Sequence, residues 1–367
     1  MAHTVGSGGD GIRYGGVRVD ILVSSGSASR RAVCHDWERV EVMERPCVVI
    51  GIHGLANKPP IDEKTRWWRA SIAEGLVRNE GLSDPRFDFE FVYWADLRYE
   101  APLAADDNQE PYRPYDGTGP LAAGDEAPAT TTKDVLAPVY AGIDRIEEAT
   151  GVTLVDDLIL EHRFDDLWHY HGERHFARQV RARLAKRLRM FRNHRILLVA
   201  HSMGSVIAYD VLRMLEREDP PLRVEHLVTA GSPLGLAKIK LKIEDEHGAA
   251  RVPDNVERWT NLADGEDVVA IMGALESDFA PNRAGVRITD RRVVNAYRRP
   301  GGEANHHKSY GYLRTPEFSR VARDYAGSPA LSAPGREPPP EVNRPGVGPP
   351  PRRERSRGAT TAPISGS

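Results

Sequence analysis

Ile196-Leu-Leu-Val-Ala-His-Ser-Met-Gly-Ser-Val-Ile-Ala208 reads as a strand, a tight turn and the opening of a helix. Ile196 to Ala200 is an apolar run too short for a helix, which marks a buried strand. Met203, Val206, Ile207, Val211, Met214 and Leu215 then fall at helical spacing and give the buried face of the next helix. Ser202 stands at the turn, with Ala200 two residues before it and Gly204 two after. A chain that turns directly from strand to helix strains its central residue and crowds its neighbours, so small flanking residues are required. The strain aims the hydroxyl away from the sheet, with the helix N-terminus behind it. Amides and the positive dipole end there favour developing negative charge. A serine that merely caps the helix is the competing reading.

Outward from this segment the chain alternates strand and helix signals, the pattern of a mostly parallel sheet covered by helices on both faces. Cys47 to Ile52 is an apolar strand ending in His53-Gly54, and Thr65 to Asn79 is a helix with Trp68, Ile72 and Leu76 on one face. Phe87 to Trp94 reads as a second strand. Phe176, Val180, Leu184, Leu188 and Phe191 make one helical stripe. Glu225 to Ala230, Val256 to Leu262 and Arg291 to Asn295 read as further strands, and Tyr310 to Tyr325 as a closing helix despite Pro316. The expected unit is residues 45–326. Residues 97–172 are too long for a plain connection. Their Pro-, Asp- and Gly-rich first half and the stripe Val135, Leu136, Val139, Tyr140, Ile143 and Ile146 suggest an inserted helical lid over a site.

Both ends differ in composition. Residues 1–44 are Gly- and Ser-rich and are expected to form a largely disordered tail, with Met43 a possible start of the functional unit. Residues 327–367 carry ten prolines with Arg, Gly and Ser, and too few large apolar side chains to offset the entropy of ordering. This tail is expected to be disordered.

Fifty basic against 53 acidic side chains give a net charge of -3, with no reason to expect a nucleic-acid partner. The two cysteines, Cys34 and Cys47, make no disulfide framework. No stretch nears the ~20 apolar residues of a transmembrane helix. The start of the chain lacks the basic and apolar regions of a secretory signal, so a cytoplasmic location is expected. Seven basic side chains between Arg178 and Arg192 suit a solvated face, with peripheral contact to an anionic membrane as the alternative. His162, His169, His171 and His175 lack the carboxylate pattern of a metalloprotease, so no metal is expected.

Ala200-His-Ser-Met-Gly204 resembles the nucleophile elbow of the α/β-hydrolase superfamily, with Ala200 in place of the usual first glycine. The likeness spans roughly residues 46–326 and is greatest to lipase-like and glycosylphosphatidylinositol-deacylase-like esterases. It implies an α/β-hydrolase fold with Ser202 as nucleophile and His53-Gly54-Leu55 beside it. Leu55 and Met203 would donate the oxyanion-hole N–H groups. A serine needs a base and a group to orient that base. By the superfamily's order, the acid follows a later strand and the histidine comes last. In Trp259 to Val269 the candidates are Asp264, Glu266 and Asp267. Likeness to an Asp-Pro-Val pattern favours Asp267, with Asp264 the alternate. His307-Lys-Ser-Tyr310 matches a His-x-x-Tyr pattern, so His307 is preferred to His306. Tyr93 to Asp96 and Ala230 to Leu234 also echo the family. The implied protein is a serine hydrolase of a small acyl or lipid-like ester, without metal or organic cofactor. Acyl transfer on the same triad, or a catalytically silent binding protein, are the rivals.

Overall fold

The protein is described from a computed structural model covering residues 45–124, 165–270 and 274–327. Both expected tails, apart from Gly327, and the Val135–Ile146 stripe lie outside the described residues. Six strands form one sheet: β1 (Cys47–Ile52), β2 (Phe89–Val92), β3 (Arg195–His201), β4 (His226–Ala230), β5 (Trp259–Asp264) and β6 (Ile288–Val293). Their order is β2-β1-β3-β4-β5-β6, and every neighbouring pair is parallel. The helices are α1 (Ile61–Glu80), α2 (Asp165–Gly172), α3 (Arg174–Met190), α4 (Met203–Glu218), α5 (Ala237–His247), α6 (Ser309–Tyr312) and α7 (Pro316–Arg323). The α/β class is the one expected, and the sheet, expected to be mostly parallel, is parallel at every described pair.

The period of two along the strands sorts the core into two layers. Val48, Ile50, Ile52, Ile196, Leu198 and Ala200 face one side, where Val180, Leu184 and Leu188 of α3 and Val206, Ile207 and Val211 of α4 cover them. Cys47, Val49, Leu197 and Val199 face the other, against Trp68, Ile72 and Leu76 of α1 and Phe318 and Ala322 of α7. A sheet buried on both faces explains why β1 and β3 read as continuous apolar runs rather than alternating ones.

Several boundaries differ from the sequence reading. α1 starts a turn early because Ile61 follows Pro60, with Asp62 and Glu63 at its positive end. The final strand is Ile288–Val293, displaced toward the N-terminus from the expected Arg291 to Asn295. The expected closing helix is broken in two. Pro316 opens α7, where its missing N–H costs nothing, and the Thr315 hydroxyl caps the new start by accepting from the Phe318 N–H. α2 and α5 carried no recognised signal. In α5 only Ile239 and Ile243 are buried, too sparse a stripe to stand out.

The insertion differs from an extended lid where it is described. Residues 98–124 are irregular, as expected, but are held down by backbone carbonyls. Arg78 donates to the carbonyls of Tyr115 and Gly117, and Arg314 to that of Arg113. α2 buries Leu167 and Tyr170 in the core. Of the basic side chains in α3 and just after it, Arg181, Arg183, Arg187, Arg189 and Arg192 all meet carboxylates, on Asp210 and Glu246, Asp96, Glu90, Glu218 and Asp219. No helix among the described residues is long and apolar enough to cross a membrane.

Candidate active site

The elbow forms because β3 and α4 meet with one residue between them. Ser202 has φ 55° and ψ -131°, one of two non-glycine residues with positive φ among the described residues. Such backbone strain costs on the order of 1–3 kcal/mol and is held by the surrounding packing. The Ser202 N–H donates to the Ala230 carbonyl at 3.0 Å, and the Ser205 hydroxyl donates to the Ser202 carbonyl. The Ser202 side chain makes no capping hydrogen bond, which sets aside the capping reading.

Its hydroxyl instead lies 3.0 Å from His307 Nε2. His307 Nδ1 lies 3.0 Å and 2.9 Å from the two carboxylate oxygens of Asp267. Asp267 is buried and also accepts from the Val269 N–H at 3.0 Å and the Tyr312 hydroxyl at 2.6 Å. Burial and the adjacent Asp267 charge push the Tyr312 phenol well above its usual range, so it stays protonated and donates. The alternates form a second pair. His306 Nδ1 is 3.5 Å from Asp264 Oδ2, which also accepts the Asn295 N–H at 2.5 Å. The described hydrogen bonds therefore join Ser202, His307 and Asp267 in series and place Asp264 and His306 beside them.

Other residues fix this arrangement. His201 Nε2 lies 2.7 Å from the His307 carbonyl, an atom that can only accept, so His201 donates there. Burial, then the neighbouring His307, hold the His201 ring well below the usual histidine range, which keeps it neutral. Asn295 Nδ2 donates to the carbonyls of His306 and Lys308 at 2.7 Å and 2.9 Å, fastening the loop that carries His307. Gly231, at φ 56°, leaves room for the series: a Cβ there would sit 2.9 Å from Asp267 Oδ2 and 3.1 Å from His307 Nδ1. The sequence signal for Gly231 was the Ala230-to-Leu234 echo. Tyr312 and Asn295 had no motif to mark them, and His201 lay in the elbow motif without a role assigned to it.

The loop after β1 approaches Ser202 so closely that a Cβ on Gly54 would lie 2.5 Å from the Ser202 Cβ. His53 anchors this loop. It accepts the Trp94 N–H at Nε2, donates from Nδ1 to the Gly54 carbonyl, and stacks on the Trp94 ring at 4.6 Å. Burial, then the Lys58 charge, hold it far below the usual histidine range. The Tyr93–Asp96 segment thus supports the loop from behind: the Tyr93 hydroxyl donates to the Lys58 carbonyl, and Asp96 pairs with Arg183. Leu55 borders the same cavity as Ser202, and Met203 opens α4, where a first-turn N–H has no partner within the helix.

Ser202 and His307 border a cavity of about 440 Å³. Its wall includes Lys58, Lys64, Arg299 and Lys308 against the carboxylates of Asp107 and Glu110. The described residues also bring Asp210, Glu246 and His247 together with possible ligand atoms within 4.8 Å. Arg181 already engages both carboxylates there, and Tyr170 donates to Asp210 at 2.7 Å, so those side chains satisfy one another.

Comparison with known proteins adds little to this geometry. No family model and no curated protein matches the sequence. Among solved structures, a dienelactone hydrolase from Anabaena variabilis is similar at 12% identity, over 77% of this chain and 86% of that one, with a TM-score of 0.32. Nothing found supports the expected closeness to glycosylphosphatidylinositol-deacylase-like esterases.

Proposed function

We propose that the protein is a serine hydrolase that cleaves a carboxylic ester through Ser202, His307 and Asp267. The observation that carries this reading is the 3.0 Å approach of His307 Nε2 to a serine hydroxyl on a strained elbow, with Asp267 on the opposite ring nitrogen. Neutral His307 takes the hydroxyl proton as Ser202 Oγ attacks the ester carbonyl carbon. Asp267 fixes the tautomer and steadies the imidazolium. The N–H groups of Leu55 and Met203 flank the serine and receive the tetrahedral oxyanion. His307 returns its proton to the leaving alcohol, leaving an acyl-enzyme. Water activated by the same ring then releases the acid and restores Ser202.

The cavity favours a small ester over a long acyl chain. Four basic side chains on its wall suit a polar substrate better than an extended hydrocarbon. A fluorophosphonate probe tests the core of the proposal: it labels the wild type and not Ser202→Ala, and 4-nitrophenyl ester cleavage is lost in step. A folded wild-type protein that takes no label and cleaves no ester would overturn it.

A further inference from the structure

The cavity's four cations are not equally satisfied. Glu110 accepts from Lys308 at 2.7 Å and from Arg299 at 2.7 Å, so one carboxylate holds two of them. Burial alone pushes the Glu110 carboxyl up, but Lys308 and Arg299 outweigh it and hold it at about 2. Lys58 is turned into its own loop, donating to the carbonyls of Leu55 and Ala56. Lys64 differs. It is 3% exposed, and among the described residues the single hydrogen bond of its side chain runs to the Tyr310 hydroxyl at 2.7 Å. The ammonium also sits 4.3 Å from the centre of the Tyr310 ring.

An ammonium has three donors and no acceptor, and burying one without a carboxylate in contact is costly. Burial, then the like charges of Lys308 and Lys58, drive Lys64 well below the usual lysine range, toward its neutral amine, and an anion beside it would hold its proton in place. An anion entering the cavity would supply the missing acceptor and offset the crowding of like charge. A neutral acyl chain would do neither.

Resting on the ester-hydrolase reading above, we infer that the substrate carries a second, anionic group, a carboxylate or phosphate, which docks on Lys64 within the cavity that holds Ser202. Lys308 and Arg299, balanced by Glu110, add a weaker positive field around it. The reacting ester and the anionic group then lie within one cavity of about 440 Å³, a size that suits a short bifunctional molecule. Such a site selects by charge, because an uncharged analogue gives Lys64 no anion to stabilise its ammonium form.

The test compares two esters of equal chain length, 4-nitrophenyl hydrogen glutarate and 4-nitrophenyl pentanoate. The wild type is expected to favour the glutarate by about tenfold or more in kcat/KM, the discrimination typical of a buried charge-assisted contact. Lys64→Met should bring the ratio of the two rates toward one, and Lys64→Arg should keep part of the preference. Free glutarate and inorganic phosphate as competitive inhibitors distinguish a carboxylate site from a phosphate site. Equal or better turnover of the pentanoate by the wild type overturns the inference and leaves the hydrolase reading standing. Should no ester be cleaved, the hydrolase reading fails. Calorimetric titration of Ser202→Ala with glutarate and phosphate then still decides whether the cavity is an anion site. Binding of neither anion refutes it, as does unchanged binding after Lys64→Met is added.

Discussion

Two aspartate–histidine pairs lie side by side at the ends of β5 and β6, built from residues three apart in one loop and adjacent in the other. In one, Asp267 presents both oxygens to His307 at 2.9–3.0 Å, and the far nitrogen of the ring meets Ser202. In the other, Asp264 sits 3.5 Å from His306 and gives its closer contact, 2.5 Å, to the Asn295 backbone. The first pair is aimed at a hydroxyl and the second at a strand end. Residue type and spacing are nearly the same, so what separates them is where each carboxylate finds its other donors. Tyr312 joins the two, donating to Asp267 Oδ2 and accepting the Asp264 N–H at 3.1 Å.

The sharpest way to break this comparison is to neutralise each carboxylate in turn. Asp267→Asn removes the group that orients His307, and kcat/KM is expected to fall by about 10³–10⁴-fold. Asp264→Asn should cost less than about tenfold in rate. It weakens the anchor at Asn295 by about 1–3 kcal/mol, seen as a lower denaturation midpoint. Equal rate losses from the two substitutions would erase the distinction. Tyr312→Phe strikes both pairs at once and should lower kcat/KM by about tenfold, the scale of one lost hydrogen bond to a charged group. A purely structural tyrosine would lower stability and leave kcat/KM of the folded protein unchanged.

Much of this arrangement was readable from residue order. β1 and β3 are apolar runs because they are buried on both faces, and the stripe on α4 repeats at helical spacing because that side packs on the sheet, although every residue from Met203 to Arg213 is buried. The elbow at Ser202 was legible for the same reason, since small neighbours reflect local crowding. The choice of Asp267 over Asp264 rested on family likeness, because turn-forming aspartates look alike until their partners are known. Long-range partners left no trace. Lys64 falls just before the expected helix start at Thr65 and draws no reading, and only the fold brings it against Tyr310, 246 residues on. Residues 101–124 read as loose loop because their order depends on carbonyls, which every residue has, meeting Arg78 and Arg314.

The smallest expected effect sharpens the comparison most. The hydrogen bond that His306 donates to Asp264 raises His306 above the usual histidine value, against the opposing effect of burial. A raised folded-state value means the native protein holds this proton more tightly than the unfolded chain. The resulting stability is fully present below about pH 6.5, the ordinary histidine value, and is lost as pH rises through the folded one. His306 is a third exposed and its contact is long, so the gain is on the order of 0.5 kcal/mol. His306→Asn should therefore lower stability slightly at pH 5.5 and not at pH 9, and change kcat/KM by less than about threefold, since the ring makes no described contact with Ser202. Denaturant titrations at the two pH values, paired with rates, check this. A large rate loss with no pH-dependent change in stability would move His306 into the reacting series and make its neighbour's alignment with Ser202 incidental.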